Sequence, residues 1–130
     1  MRPSQLLAVC ISVCAMGCEP KLVLELERRG EAYEFELHRE DDKRGFGVES
    51  FDVMEGQSVV CEIRQTPGPG PKVSRWTYGS RPDGYSISPH CEPLQAGRTY
   101  RATGGGRFFG MLVFRLKANG DVEILQRGAP

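Results

Sequence analysis

The chain has 130 residues, 39% of them hydrophobic and 26% charged, with 17 basic side chains balanced by 17 acidic ones. That length holds one domain, able to bury about two-thirds of its unfolded surface. The neutral balance argues against nucleic acid as a partner, because phosphate binding needs a basic face. The first element is a leader. Arg2 and the amino terminus make a short positive start, and Leu6 to Met16 is an apolar run broken by one hydroxyl, Ser12. Ala15 and Gly17 are the small residues that a signal peptidase requires, which completes the three-part layout of a secretory signal. The run is 11 residues long, and a membrane span needs about 20, so a retained transmembrane helix is not expected.

Cys18 follows directly after Gly17. The segment Ala15-Met16-Gly17-Cys18 resembles the lipobox of bacterial lipoproteins, whose usual form is Leu-Ala-Gly-Cys. Cys18 and Gly17 match that pattern, and Ala15 and Met16 depart from it. The resemblance implies cleavage before Cys18, diacylation of its sulfur and usually acylation of the new amino terminus. Glu19 is not the aspartate that resembles an inner-membrane retention signal, so the resemblance implies the outer membrane. The same residues also satisfy an ordinary small-x-small cleavage site, which would leave Cys18 unmodified and the protein simply secreted. Each buried methylene of an anchor contributes about 0.8 kcal/mol, and two or more chains hold stably.

Residues 1–17 are thus expected to be a signal peptide, 18–20 a lipidated terminus with a very short Glu19-Pro20 tether, and 21–130 a β-sandwich domain. The leader removes one basic residue and no acidic one, so residues 18–130 carry 16 basic and 17 acidic side chains. Cys10 and Cys14 leave with the leader and lipid occupies Cys18. Cys61 and Cys91 remain as a pair, and in an oxidising compartment they are expected to form a disulfide. Closing a loop of that length contributes about 3 kcal/mol in the chain-entropy model. Two separate thiols are the alternative. Zinc is disfavoured, because neither cysteine has a second cysteine or histidine at short fixed spacing apart from the adjacent His90.

The pattern from Leu22 onward has period two. Leu22, Leu24 and Leu26 alternate with Val23, Glu25 and Glu27. After Arg29-Gly30, Tyr33, Phe35 and Leu37 alternate with Glu34, Glu36 and His38, which predicts a hairpin of half-buried strands. Glu40 to Arg44 reads as a charged loop, and Phe51 and Val53 as part of a short strand. Val59, Cys61 and Ile63 alternate with Val60, Glu62 and Arg64. Pro67 to Pro71 is a surface loop, since proline lacks a donor and glycine loosens the chain. Val73 to Tyr78 is extended, with Trp76 and Tyr78 on one face. Arg81-Pro82-Asp83-Gly84 reads as a turn with proline in second position, followed by an edge segment containing Tyr85 and Ile87. Tyr100 to Thr103 and Phe108 to Lys117 are strands. The latter is apolar on both sides, which predicts a central strand covered on both faces. Asn119-Gly120 signals a hairpin leading into Val122 to Leu125. No stretch of helical period, repeat or heptad is present.

Leu94-Gln95-Ala96-Gly97-Arg98-Thr99-Tyr100 has the spacing Leu-x-x-Gly-x-x-Tyr before an alternating strand. This resembles the tyrosine corner of immunoglobulin-like and fibronectin type III sandwiches, with Leu94, Gly97 and Tyr100 at the matching positions. The resemblance implies an all-β, immunoglobulin-like sandwich in which the tyrosine hydroxyl bonds back to upstream backbone. Trp76 is the candidate inter-sheet aromatic, and a small β-barrel is the alternative fold. Trp76-Thr77-Tyr78-Gly79, Pro82-Asp83-Gly84-Tyr85 and Pro93-Leu94 to Tyr100 also resemble a loose group of small exported proteobacterial proteins. That resemblance implies fold and location rather than chemistry.

Catalytic constellations are absent from the pattern. There is no Gly-x-Ser-x-Gly elbow, and Cys91 beside His90 is not a positioned nucleophile and base. Glu40-Asp41-Asp42 lacks the alternate ligand spacing of a calcium loop. Gly104-Gly105-Gly106-Arg107 lacks the lysine and helix of a phosphate cradle. Glu25, Glu27, Glu34 and Glu36 read as an outward polar face rather than as glycosidase carboxylates. The expectation is a non-catalytic binding or accessory module of the cell envelope, with no cofactor or metal. The alternatives are an envelope inhibitor or immunity protein acting on a hydrolase or toxin, and an enzyme.

Overall fold

The computed structural model describes residues 21–128, apart from residues 69, 89 and 90 and the side chain of Lys43. The leader, Cys18, the Glu19-Pro20 tether and His90 lie outside the described residues. Ten strands and no helix occur among those described: β1 Leu22–Arg29, β2 Ala32–Arg39, β3 Asp42–Gly45, β4 Ser50–Glu55, β5 Ser58–Gln65, β6 Arg75–Thr77, β7 Tyr85–Ile87, β8 Thr99–Gly105, β9 Phe109–Leu116 and β10 Val122–Arg127. They form two antiparallel sheets. The small one runs β1-β2-β3, with β6 also paired to β2; the large one runs β10-β9-β8-β4-β5-β7. The two sheets pack face to face as a β-sandwich, and the large sheet keeps two free edges, β10 and β7, instead of closing into a barrel.

Period two explains the first hairpin. Leu24, Phe35 and Leu37 are buried, while Glu25, Glu34 and Glu36 take the other face. Arg29 pairs with Ala32, which leaves a two-residue turn with Gly30 first, at φ 64°. A hairpin turn that matches strand twist needs positive φ there, and glycine adopts it without steric cost.

The core is an aromatic stack between the sheets. Phe35 and Trp76 of the small sheet meet Phe51 and Phe114 of the large one. Ring centroids lie 5.6 Å apart for Phe35–Trp76, 5.7 Å for Phe51–Trp76 and 6.0 Å for Phe35–Phe114. Trp76 is therefore an inter-sheet aromatic, and Tyr78 packs beside it at 5.6 Å. Each fully buried Phe or Leu contributes about 1.5–3 kcal/mol of transfer free energy, so this stack is the main adhesive between the layers.

Four local expectations are corrected. Glu40 to Arg44 is not one loop: Glu40-Asp41 is a turn and β3 begins at Asp42. Short edge strands tolerate such charge because one side of their backbone stays open to water. Val59 does not point inward. Val53 pairs with Cys61 and Met54 with Val59, so Val60 is an extra residue on β5. That bulge buries Val60 beside Cys61 and leaves Val59 40% exposed. β9 is covered on one face only. Gly110, Leu112, Phe114 and Leu116 face the core, whereas Phe109 is 61% exposed and Met111 and Val113 are half-buried. Finally, the turn after the proline-rich loop starts one residue later than expected. The Tyr85 N–H donates to the Pro82 carbonyl at 3.1 Å, with Gly84 third at φ 81°.

Candidate functional site

Cys61 lies on β5 with its side chain in the core. Cys91 lies on the connection between β7 and β8. The two form a disulfide, with Cα atoms 4.4 Å apart. The connection already runs along β5, since the Ser88 N–H donates to the Glu62 carbonyl and the Glu92 N–H to the Val60 carbonyl. The bridge at Cys91 therefore fastens this connection to β5 next to the bond that Glu92 makes.

The next residues of the same connection carry Leu94, Gly97 and Tyr100. Leu94 packs against the core. Gly97 sits at φ 82° and donates its N–H to the Leu116 carbonyl at 2.7 Å. The buried Tyr100 hydroxyl accepts from the Gln95 backbone N–H at 2.9 Å. Tyr100 also stacks on Phe114, with centroids 5.5 Å apart.

Tyr100 is not alone in this role. The Tyr33 hydroxyl donates to the Gly120 carbonyl at 2.7 Å. The Tyr78 hydroxyl donates to the Glu92 carbonyl at 2.5 Å, and burial, ahead of Tyr100 and Glu92, pushes it up to about 12. The Tyr85 hydroxyl donates to the Val48 carbonyl at 2.5 Å and accepts from the Val73 N–H at 2.9 Å. Val48 and Val73 themselves form a bridge, so Tyr85 clamps two loops at their contact. All four tyrosines of the chain use their hydroxyls to hold irregular backbone. A buried polar group needs such a partner, and the partner here is a loop.

The outer face of the small sheet holds the glutamates. Glu25 lies opposite Glu36 and Glu27 opposite Glu34. Like charges directly opposite repel, and arginines offset them. Arg75 reaches Glu34 at 3.5 Å and Glu36 at 3.1 Å, while Arg29 reaches Glu27 at 3.3 Å and Glu34 at 3.8 Å. His38 is buried at one end of this face. Its Nδ1–H donates to the Arg39 carbonyl at 2.7 Å, and its Nε2 lies 3.4 Å from Glu25 Oε2 without a hydrogen bond. Asp42, at the start of β3, is held down to about 2 by hydrogen bonds from Arg44. Among the described residues no three His, Cys, Asp or Glu side chains converge as a metal site requires.

The outer face of the large sheet is less expected. Asp52 on β4 lies opposite Glu62 on β5. Burial, then Glu62, raises the Asp52 carboxyl above its ordinary range, against the lowering influence of Arg101 and Arg64. Asp52, Glu62, Arg64 and Phe109 border a shallow hollow of about 290 Å³. Sequence reading missed this pair, because nothing in either strand alone announces that the two carboxylates share a rung. Among the described residues, Phe109 is the most exposed of three large hydrophobics at the surface, the others being Val59 and Leu125. The triglycine segment continues β8 into the tip that carries Phe109. Among the described residues no helix is long and apolar enough to cross a membrane. Compared with family models, curated proteins and solved structures, the chain matches none.

Proposed function

We propose that residues 18–130 act as a lipid-anchored β-sandwich of the cell envelope, a non-catalytic module that binds or supports an envelope protein. One observation carries the anchor. Cys61 and Cys91 are joined to each other, Cys18 is the third cysteine of residues 18–130, and it stands where a lipobox places its acylated residue. The disulfide also suits an exported protein, because such bonds persist in oxidising compartments. By the lipobox resemblance the destination is the outer membrane.

The surface chemistry favours binding over catalysis. Asp52 and Glu62 lie on the large sheet, whereas His38 is on the small sheet, where the Arg39 carbonyl holds one of its ring nitrogens. Hydrolysis by the Asp52–Glu62 pair would need a substrate enclosed against that rung. The hollow beside Asp52 is open and shallow, unlike the concave sites that enclose small substrates.

Intact mass of the membrane-extracted protein tests the anchor. The expected species begins at Cys18 and carries acyl additions. A chain beginning at Cys18 without added mass overturns the lipoprotein reading and leaves a secreted protein. Replacing the anchor site, Cys18→Ser, is expected to release the domain from the membrane fraction. Affinity capture from solubilised envelope with the wild-type chain then identifies the partner. Recovery of no stoichiometric protein overturns the binding role.

A further inference from the structure

We infer that the β8–β9 tip, Arg107 to Phe109, is a membrane-contacting element that dips into the bilayer interface when the amino terminus is tethered there. The inference rests on the anchor reading and adds a second contact to it. Its first support is position. A Cβ built on Gly110 would lie 3.2 Å from the Leu24 backbone N, so the start of β9 abuts the start of β1. Lys21 and Leu22 share one surface hollow with Met111 and Gly128, and the Gly128 N–H donates to the Met111 carbonyl at 2.9 Å. The chain therefore enters the sandwich at the end where the tip projects. Only Glu19 and Pro20 separate Lys21 from Cys18, a reach of at most about 11 Å over three residue steps. A lipid on Cys18 would hold this end of the domain at the bilayer.

The second support is the chemistry of the tip. Phe109 is 61% exposed, and Arg107 lies over the Phe108 ring at 5.4 Å. An aromatic ring beside a long cationic side chain suits the boundary between headgroups and acyl chains, where the ring buries and the charge stays wet. Of the other exposed large hydrophobics among the described residues, Val59 is the second residue of β5, at the opposite end, and Leu125 lies within β10. The third support is rigidity. Gly105 sits at φ 143°, and a Cβ there would fall 1.9 Å from the Phe108 carbonyl oxygen. The Gly105 carbonyl accepts from the Glu49 N–H, and the Gly106 N–H donates to the Phe108 carbonyl. Such a tip holds Phe109 outward without an ordering cost at the moment of contact.

The test uses residues 18–130 with Phe109→Trp. Trp76, the native tryptophan, is 1% exposed and serves as an unquenched internal reference. The Cys18 thiol is coupled to a maleimide lipid in phosphatidylcholine vesicles with brominated acyl chains, which supplies the tether whether or not cells acylate Cys18. The expected result is emission at position 109 that shifts to the blue and falls about twofold, the response of a ring at interfacial depth. A parallel Leu125→Trp chain is expected to stay unquenched. Unquenched emission at 109, or equal quenching at 109 and 125, overturns the inference. A concentration-dependent dimer that shields position 109 without vesicles also overturns it, because a second copy would then cover the tip. Intact mass decides the anchor separately, so failure of the tip and failure of the anchor are distinguishable.

Discussion

Gly104 on β8 lies directly opposite Gly110 on β9, and the space that this glycine rung leaves on the inner face of the large sheet is filled by Leu37 and Leu24 of the small sheet and by Phe51 of the large one. A Cβ on Gly110 would meet Leu37 Cδ1 at 2.5 Å, and one on Gly104 would meet the Phe51 ring at 2.8 Å with Leu24 next at 3.7 Å. The layers approach closely because two side chains are missing at one rung. Gly110→Ala should therefore force Leu37 and β1 outward, and overpacking of this kind costs about 1–3 kcal/mol. Urea denaturation should show a lower midpoint with an unchanged slope. Gly56→Ala is the contrast: its Cβ would meet nothing, so any loss there comes from its φ of 59° alone.

Much of this sandwich was legible because side-chain direction in a strand alternates. Leu24, Phe35 and Leu37 declared the inward face of the first hairpin, and Glu25, Glu34 and Glu36 the outward one. Three features were hidden for definite reasons. The extra residue at Val60 leaves composition unchanged while reversing which valine faces the core. On β9, Phe109, Met111 and Val113 are as apolar as their inward neighbours, so hydropathy does not separate a wet face from a covered one. The Asp52–Glu62 rung depends on register between two strands, and register follows from the turn and the bulge rather than from either strand. The Tyr85 contacts lie 37 and 12 residues away in sequence, beyond any local pattern.

The Cys61–Cys91 bridge spans 30 residues of chain. Cys61→Ala with Cys91→Ala removes a constraint on the unfolded state and should cost about 2–4 kcal/mol. Thiol reductant should lower the thermal midpoint of the wild type toward that of the double variant and leave the variant unmoved. Equal sensitivity of both chains to reductant would show that the bridge contributes nothing to stability.

Asp52→Asn should stabilise the domain at pH 7. Its carboxyl is raised first by burial and then by Glu62, so the charged form is disfavoured in the folded state. Removing one of two opposed charges on a strand rung gains about 0.5–1 kcal/mol. The sign with pH follows from the raised value. The folded wild type takes up the proton more readily than the unfolded chain, so it gains relative stability as pH falls through the folded-state range of Asp52. The advantage of Asp52→Asn should accordingly shrink from pH 7 to pH 4 in paired urea melts, and an advantage that grows on acidification would contradict the assignment.

Tyr78 acts with the same sign in an alkaline window. Its hydroxyl donates to the Glu92 carbonyl, and burial holds it at about 12 in the folded state, against about 10 for an unfolded tyrosine. Below pH 10 both states are neutral and the hydrogen bond contributes fully. Between pH 10 and 12 the unfolded chain ionises first, so stability falls as pH rises. Tyr78→Phe cannot ionise and should lack this loss. At pH 8 the variant should be less stable by about 1 kcal/mol, the usual net contribution of such a bond. Above pH 10 the gap should narrow, read as converging thermal midpoints. Because Glu92 directly follows the bridged Cys91, the pH 8 cost should be larger in the chain lacking the disulfide, where the hydrogen bond is left to hold the connection to Trp76 and the core.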